Sequence, residues 1–345
     1  MRAVVFENIG SVRVAEVDDP APKDPTDAVV RVSHAAICGS DLHFLHGKAP
    51  IDPGHVMGHE AVGTVAAIGE GVTRSRVGQR VVVSFSIACG ACWFCSRGQT
   101  QLCEDWRNLG AGTFGGDLAG AQAELVRVPF ADVNLLEVPD DVDDEHALFV
   151  GDILTTGVYA ASLADIRPDQ AVAVLGVGPL GFFCVQAALA AGATVYALDR
   201  DEARLDLAAS TGAIPIHVGR RHPVSTLQDA TRGRGADVVI EAVGSAPAFE
   251  SALDIVRRGG IVVVTGVYAG ETVPLQLGVC WARAITLRFA GICPVHAWWE
   301  RAMDLVARGA IDPIPLISHR LPLTEAPSGY DLFDRREATK VVLIP

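Results

Sequence analysis

Ala171-Val172-Ala173-Val174-Leu175-Gly176-Val177-Gly178-Pro179-Leu180-Gly181 is the stretch that decides the fold of this chain. A short apolar strand runs into a glycine-rich turn, and Pro179 to Ala191 then reads as a helix. G-x-G-x-x-G is common by chance, but between a strand and a helix it is the fingerprint of a dinucleotide-binding turn. Glycines let a pyrophosphate approach the backbone at a helix N-terminus, where free amides and the helix dipole favour an anion. Thr194 to Leu198 reads as the next strand, and Asp199 follows it. An acidic side chain there accepts from the adenosine ribose hydroxyls. A 2′-phosphate would meet its negative charge, so NAD is expected rather than NADP. Arg200 is the neighbour that would tolerate a phosphate, and Asp199 would also suit a cap for a helix starting near Asp201.

Outward from this turn, strands and helices alternate. Asp201 to Ser210 reads as a helix, Asp237 to Ala242 as a strand, Ala248 to Val256 as a helix, and Ile261 to Thr265 and Ile285 to Ala290 as strands. That alternation predicts a parallel, doubly wound α/β sheet. Before Gly151 the texture differs. Ala28 to Val32, Gly63 to Ile68 and Arg80 to Phe85 are β-branched runs between turns such as Gly69-Glu70-Gly71, which predicts an irregular β domain. The tail opens with an amphipathic helix, His296 to Ala307, and ends in a strand, Lys340 to Ile344. Ala171 to Leu198 carries no charged side chain and is long enough to suggest a membrane span. Gly176, Gly178, Pro179, Gly181 and Gly192 break it, and a βαβ unit covered on both faces is uncharged for the same reason.

The length of 345 residues suits two domains of ~150 residues each. Lys and Arg number 28 against 41 Asp and Glu, a net charge of −13. Such a chain repels phosphate backbones and anionic lipid, so neither nucleic acid nor a membrane is an expected partner. Met1 to Glu7 reads as a short strand rather than a signal peptide, which sets the expectation of a cytoplasmic protein. In a reducing compartment the eight cysteines suggest metal rather than disulfides.

Four of those cysteines, Cys89, Cys92, Cys95 and Cys103, follow the spacing C-x2-C-x2-C-x7-C. Two-residue gaps let thiolates curl around one ion, and Gly90 permits the tight turn. Four sulfurs complete a tetrahedral zinc shell and leave no position for a substrate, so this zinc is expected to be structural. Buried or redox-active thiols are the simpler reading, but four so close together would form strained disulfides. A nucleic-acid zinc ribbon usually has two separated pairs, and the acidic charge argues against it.

Three weaker pieces remain: Ile37-Cys38-Gly39-Ser40-Asp41-Leu42-His43, Gly58-His59-Glu60, and Gly151-Asp152-Ile153-Leu154-Thr155-Thr156-Gly157. Alone, a cysteine is usually core, a histidine usually satisfies a local hydrogen bond, and an aspartate before a helix is usually an N-cap. In this order, with the four cysteines and the glycine-rich turn, they resemble the medium-chain zinc-dependent alcohol dehydrogenases from Cys38 to Lys340. The resemblance implies that Cys38 and His59 bind a catalytic zinc and that Asp152 takes the third-ligand position, as in mostly bacterial branches. The fourth position stays open, as catalytic zinc requires. Glu60 would lie behind the metal as an occasional ligand, and Asp41 would orient His59 from beyond it. Ser40, the nicotinamide ribose and His43 would form the proton relay, with Phe85 an aromatic pocket wall. Gly176, Gly178 and Gly181 would cradle the cofactor, with Thr156 and Leu180 near the nicotinamide, Arg204 at the adenosine ribose and Lys340 at the pyrophosphate. The family pattern does not need His55, and Gly54 and Gly58 argue against a helical zinc pair with His59.

The same resemblance implies a GroES-like irregular β-barrel catalytic domain of residues 1–150 and 293–345, and a Rossmann NAD-binding domain of residues 151–292. It implies a zinc-dependent alcohol dehydrogenase with two zinc ions per chain, one catalytic and one structural. Zinc would lower the pKa of a small-molecule alcohol's oxygen, and the zinc-bound alkoxide would pass hydride to NAD, giving an aldehyde or ketone reversibly. Formaldehyde, polyol and threonine dehydrogenases share the scaffold; Asp152 and Gly120-Ala121-Gln122-Ala123-Glu124 are reminiscent of the formaldehyde branch. A non-catalytic zinc- and NAD-binding protein would lack a ligand or part of the relay, yet Cys38, His59, Asp152, Ser40 and His43 are all present. A homotetramer or homodimer is expected.

Overall fold

Between Thr156 and Cys293, six parallel strands form one sheet in the order Ile214–His217, Thr194–Asp199, Ala171–Leu175, Ala236–Glu241, Val256–Val264 and Thr286–Phe289. The structure is a computed structural model and describes residues 1–268 and 272–345. Side chains alternate across the strand Ala171–Leu175. Val172 and Val174 join an apolar cluster with Val195, Ala197, Val238 and Ile240, while Ala173 and Leu175 join another with Tyr196, Leu198, Val239 and Phe249. Both faces of the sheet are covered, which is why the run is uncharged. Strand order reverses between Ala171–Leu175 and Ala236–Glu241, and the glycine-rich turn leaves the sheet at this switch point. A Cβ at Gly181 would lie 1.9 Å from the Gly176 carbonyl oxygen, so only glycine lets the helix Pro179–Ala190 sit so close to the turn. The strand Ile214–His217 and the helix Pro223–Ala230 were not anticipated from the sequence. Ile214 and Pro215 are exposed and the strand lies at the sheet edge, so no apolar period marks it.

The second unit comprises Met1–Thr155 and Pro294–Pro345. Its main sheet runs His319–Pro322, Val341–Ile344, Ala28–Ile37, Glu60–Ile68, Arg80–Val83, Leu135–Glu137, with Leu125–Val128 pairing to Ala28–Ile37 as well. The strand Ala28–Ile37 is its axis. Its register against Glu60–Ile68 shifts after Val29 and after Val32, and such bulges raise local twist. It can therefore pair with Leu125–Val128 along Ala28 to Arg31 and with the final strand along Ala35 to Ile37. Glu60 pairs with Ala36, and Val341 pairs with Ile37. Residues far apart in sequence, Cys38, Glu60 and Lys340, thus gather at one end of the sheet. An irregular β unit and a doubly wound α/β unit are the architectures expected. Among the described residues, no helix is long and apolar enough to cross a membrane.

Candidate active site

Cys38 leaves the strand Ala28–Ile37, His59 precedes the strand Glu60–Ile68, and Asp152 lies between a 3-10 turn, Leu148–Gly151, and the helix Ile153–Leu163. Their ligand atoms lie within 4.8 Å of one another. His59 Nε2 is 3.2 Å from Asp152 Oδ2. The Ser40 hydroxyl also stands 3.2 Å from Nε2. The other ring nitrogen, Nδ1, is 3.2 Å from Asp41 Oδ1. Asp41 is fully buried, and its Oδ2 accepts from the Cys38 amide at 3.0 Å and from Gln122 Nε2 at 3.1 Å. A carboxylate only accepts, so Asp41 holds a protonated Nδ1, and a cation among Cys38, His59 and Asp152 would take the place of a proton on Nε2.

Burial disfavours a charged His59, but the charges of Asp41 and Cys38 and the bond to Asp152 outweigh it and hold the imidazole well above its usual pKa. The cluster thus attracts positive charge, which a divalent cation would supply. A sulfur, an imidazole and a carboxylate oxygen form a donor set suited to zinc. The residues present fit the metal.

Around this cluster the other expected residues take definite places. His43 sits on the short helix Asp41–Leu45 and is half-buried. Burial, then Lys48 and His46, lower its pKa below the usual 6.5. Phe85 is buried and meets the His59 ring edge-to-face with centroids 6.3 Å apart. His55 accepts from the Gly112 amide at 3.3 Å and stands outside the cluster. Glu60 is fully buried, also outside the cluster, and pairs with Lys340. Burial raises the Glu60 carboxyl to about 7 against the pull of the Lys340 ammonium.

Lys340, the expected pyrophosphate residue, is fully buried, bonded to Glu60 and 5.4 Å above the Phe149 ring. A buried carboxylate without a cation costs several kcal/mol, and the pairing of Val341 with Ile37 sets Lys340 beside it.

The four-cysteine segment is held by short 3-10 turns, Cys95–Arg97 and Thr100–Leu102. Its four sulfurs lie within 4.8 Å of one another, and none of the four is in a disulfide. Amides point at sulfur: Cys89 N to Cys103 Sγ at 3.2 Å, and Asp105 N to the same atom at 3.3 Å. Backbone amides of Glu104 and Cys95 pull the Cys92 thiol down to about 6, while burial pushes Cys95 and Cys103 up. Four thiolates at this range repel one another unless a cation sits among them, so this set also fits zinc.

In the α/β unit, the Gly176 amide donates to Leu198 at 2.8 Å, and the Val177 amide donates to Asp199 Oδ2 at 2.8 Å. Asp199 Oδ1 accepts from the Arg200 and Asp201 amides, at 2.6 and 3.1 Å. The helix Glu202–Ser210 is capped by Asp201, which takes the Arg204 amide, so Asp199 is not its cap. Gly178 starts the helix Pro179–Ala190 with no side-chain cap. A Cβ there would find open space except for the Arg204 guanidinium, 3.6 Å away. Uncapped amides and one guanidinium over an open glycine turn fit a dinucleotide pyrophosphate. Leu180 packs against the sheet's apolar cluster, and Thr156 is half-buried on the helix Ile153–Leu163. Gly157 allows that helix to touch Phe183, since a Cβ would lie 2.7 Å from the Phe183 Cβ.

Sequence reasoning missed a set of buried polar residues. Tyr330 donates to Gln122 Oε1 at 2.8 Å, and Gln122 in turn donates to Asp41. His296 sits between Thr100 Oγ1 at 2.9 Å and Asn134 Oδ1 at 2.8 Å. The only available signal was a lone amide between small residues in Gly120-Ala121-Gln122-Ala123.

Two family signatures match the chain: "Alcohol dehydrogenase GroES-like domain" over residues 24–140 and "Zinc-binding dehydrogenase" over residues 179–308. A Mycobacterium tuberculosis protein named a probable zinc-binding alcohol dehydrogenase is 43% identical, covering 96% of this chain and 84% of its own. The alcohol dehydrogenase from Thermus sp. ATN1 superposes with a TM-score of 0.97 at 46% identity, covering 100% of this chain and 99% of its own. A Sinorhizobium meliloti 1021 structure, solved bound to NADP, reaches a TM-score of 0.89 at 33% identity, covering 100% and 99%.

Proposed function

The chain belongs to the medium-chain zinc-dependent alcohol dehydrogenase family, and we propose that it oxidises its alcohol with NAD at a zinc ion held by Cys38, His59 and Asp152. It is an oxidoreductase acting on small-molecule alcohols. The observation that carries the site assignment is the approach of the three ligand atoms to within 4.8 Å, with His59 already oriented by Asp41. Cys89, Cys92, Cys95 and Cys103 hold a second, structural zinc.

When bound, the zinc supplies a Lewis acid that eases deprotonation of the alcohol, and NAD supplies the hydride acceptor. This chain's residues manage the proton and the orientation. The Ser40 hydroxyl beside His59 Nε2 takes up the alcohol proton and hands its own onward. His43, with its pKa below 6.5, is neutral at pH 7 and accepts it. Phe85 excludes water on one side of His59. Glu60 keeps one oxygen, Oε1, without a hydrogen-bond partner, and that oxygen is the one an occasional ligand would turn toward the metal. Asp199 favours NAD by opposing a 2′-phosphate, although the NADP-bound relative shows that the scaffold admits one and Arg200 stands beside Asp199.

The protein acts in the cytoplasm as a homo-oligomer. The homo-oligomer reading is supported by the strand Thr286–Phe289, which ends the sheet and has no partner on its outer edge among the described residues.

Metal analysis tests the site. The native protein should carry two zinc ions per chain, and Cys38→Ser should carry one, fold normally and lose alcohol turnover. A native protein with one zinc and full activity would overturn the assignment.

A further inference from the structure

We propose that Gln122 and Tyr330 are positioning residues for the metal site, acting through a buried chain of two hydrogen bonds, Tyr330 to Gln122 and Gln122 to Asp41, that ends in the Asp41–His59 ion pair. The inference rests on the reading of Cys38, His59 and Asp152 as metal ligands. Tyr330 lies on the helix Ala326–Asp334, near the end of the chain, and is 1% exposed; Gln122 and Asp41 are fully buried.

Each link runs in one direction only. Gln122 Nε2 faces two groups that cannot donate, Asp41 Oδ2 at 3.1 Å and the Ala36 carbonyl at 3.2 Å. The amide nitrogen must therefore point at them, and Oε1 must face Tyr330, whose hydroxyl donates at 2.8 Å. With Oδ2 engaged by Gln122 and the Cys38 amide, Asp41 Oδ1 makes no hydrogen bond and faces the His59 ring as an ion pair at 3.2 Å. Removing the Gln122 donor loosens Asp41, and with it the oxygen that positions the His59 ring.

Backbone packing ties Gln122 to His59 independently. The Gln122 amide donates to the Met57 carbonyl at 2.9 Å, and the Ala121 amide donates to Gly58 at 2.8 Å. Gly58 has φ +90°, and a Cβ there would lie 2.3 Å from Gln122 Cγ. The glycine that precedes the ligand is thus shaped around this glutamine side chain. Gln122 braces both the partner of His59 and the backbone that delivers it.

Residues beyond the ligands typically change metal affinity by about 10–100-fold when altered. The test compares Gln122→Leu, Tyr330→Phe and the double variant, measuring release of zinc to the chelator 4-(2-pyridylazo)resorcinol, with thermal unfolding as control. Gln122→Leu should release one of its two zinc ions about 10-fold faster, while the cysteine-bound zinc stays put. Tyr330→Phe should move the same zinc by less, with unfolding within a few degrees of native. The double variant should fall well short of the sum of the two single effects, because Tyr330 and Gln122 both converge on Asp41. Release at the native rate from both single variants, or additive effects in the double variant, would overturn the proposal. If Cys38→Ser keeps as much zinc as the native protein, the metal reading itself falls and this inference with it.

Discussion

Asp199 answers two demands with one carboxylate. Oδ2 holds the glycine-rich turn through the Val177 amide, and Oδ1 takes the two amides that follow it. Its charge remains at the end of the strand Thr194–Asp199, beside the Arg204 helix. Asp199→Gly would remove the repulsion of a 2′-phosphate and leave Arg200 and Arg204 to attract it. The ratio of kcat/KM for NADP over NAD should rise at least about 10-fold, or about 1.4 kcal/mol. An unchanged ratio in paired assays would mean that Asp199 does not set cofactor choice. At this scale the sequence was most informative where chemistry is local. Cysteines two residues apart, glycines in a turn and an acid after a strand declare themselves. Gln122 and Tyr330 do not, because 208 positions separate them and neither carries a local pattern.

The cysteine segment and the helix Val295–Ala307 show how one element pins another. His296, at the start of that helix, spans Thr100 between the last two cysteines and Asn134, and its ring packs edge-to-face on Trp299 at 5.0 Å. Asn134 also closes on Ala88, accepting from its amide at 2.9 Å and donating to its carbonyl at 2.9 Å, next to Cys89. Burial lowers the His296 pKa from 6.5 to about 4. In that interval the unfolded chain binds a proton that the folded chain refuses, so stability is full above 6.5 and declines as pH falls toward 4. By pH 5 the loss from this residue is about 2 kcal/mol. Thermal unfolding of the native protein should therefore fall more steeply between pH 7 and pH 5 than that of His296→Gln. Parallel slopes would remove His296 from the account. The helix itself was legible from its amphipathic pattern; its link to Thr100 and Asn134 was not.

At the scale of the whole molecule, the strand Thr286–Phe289 stands out as a sheet edge that nothing on the chain covers among the described residues. Near it, Phe289 is 69% exposed, Leu277 70% and Trp281 85%. An open edge with exposed apolar side chains invites pairing with a second copy. The protein should sediment as a multiple of its 36.3 kDa chain mass, and Phe289→Glu together with Trp281→Glu should shift it toward the monomer. A native protein already at the monomer mass would end this reading.

The sequence by itself determined the alternation of strands and helices, the glycine-rich turn and the four-cysteine spacing. These depend on neighbours a few residues apart, where backbone geometry alone sets what can meet. The tertiary structure decided where long-range partners fall. It drew Lys340 onto Glu60, since a buried carboxylate needs a cation and the pairing of Val341 with Ile37 brings one. It set Gln122 between Tyr330 and Asp41, since buried polar atoms must find partners wherever the folded chain supplies them. Such pairings arise from sheet register and packing across hundreds of positions, and no local pattern encodes them.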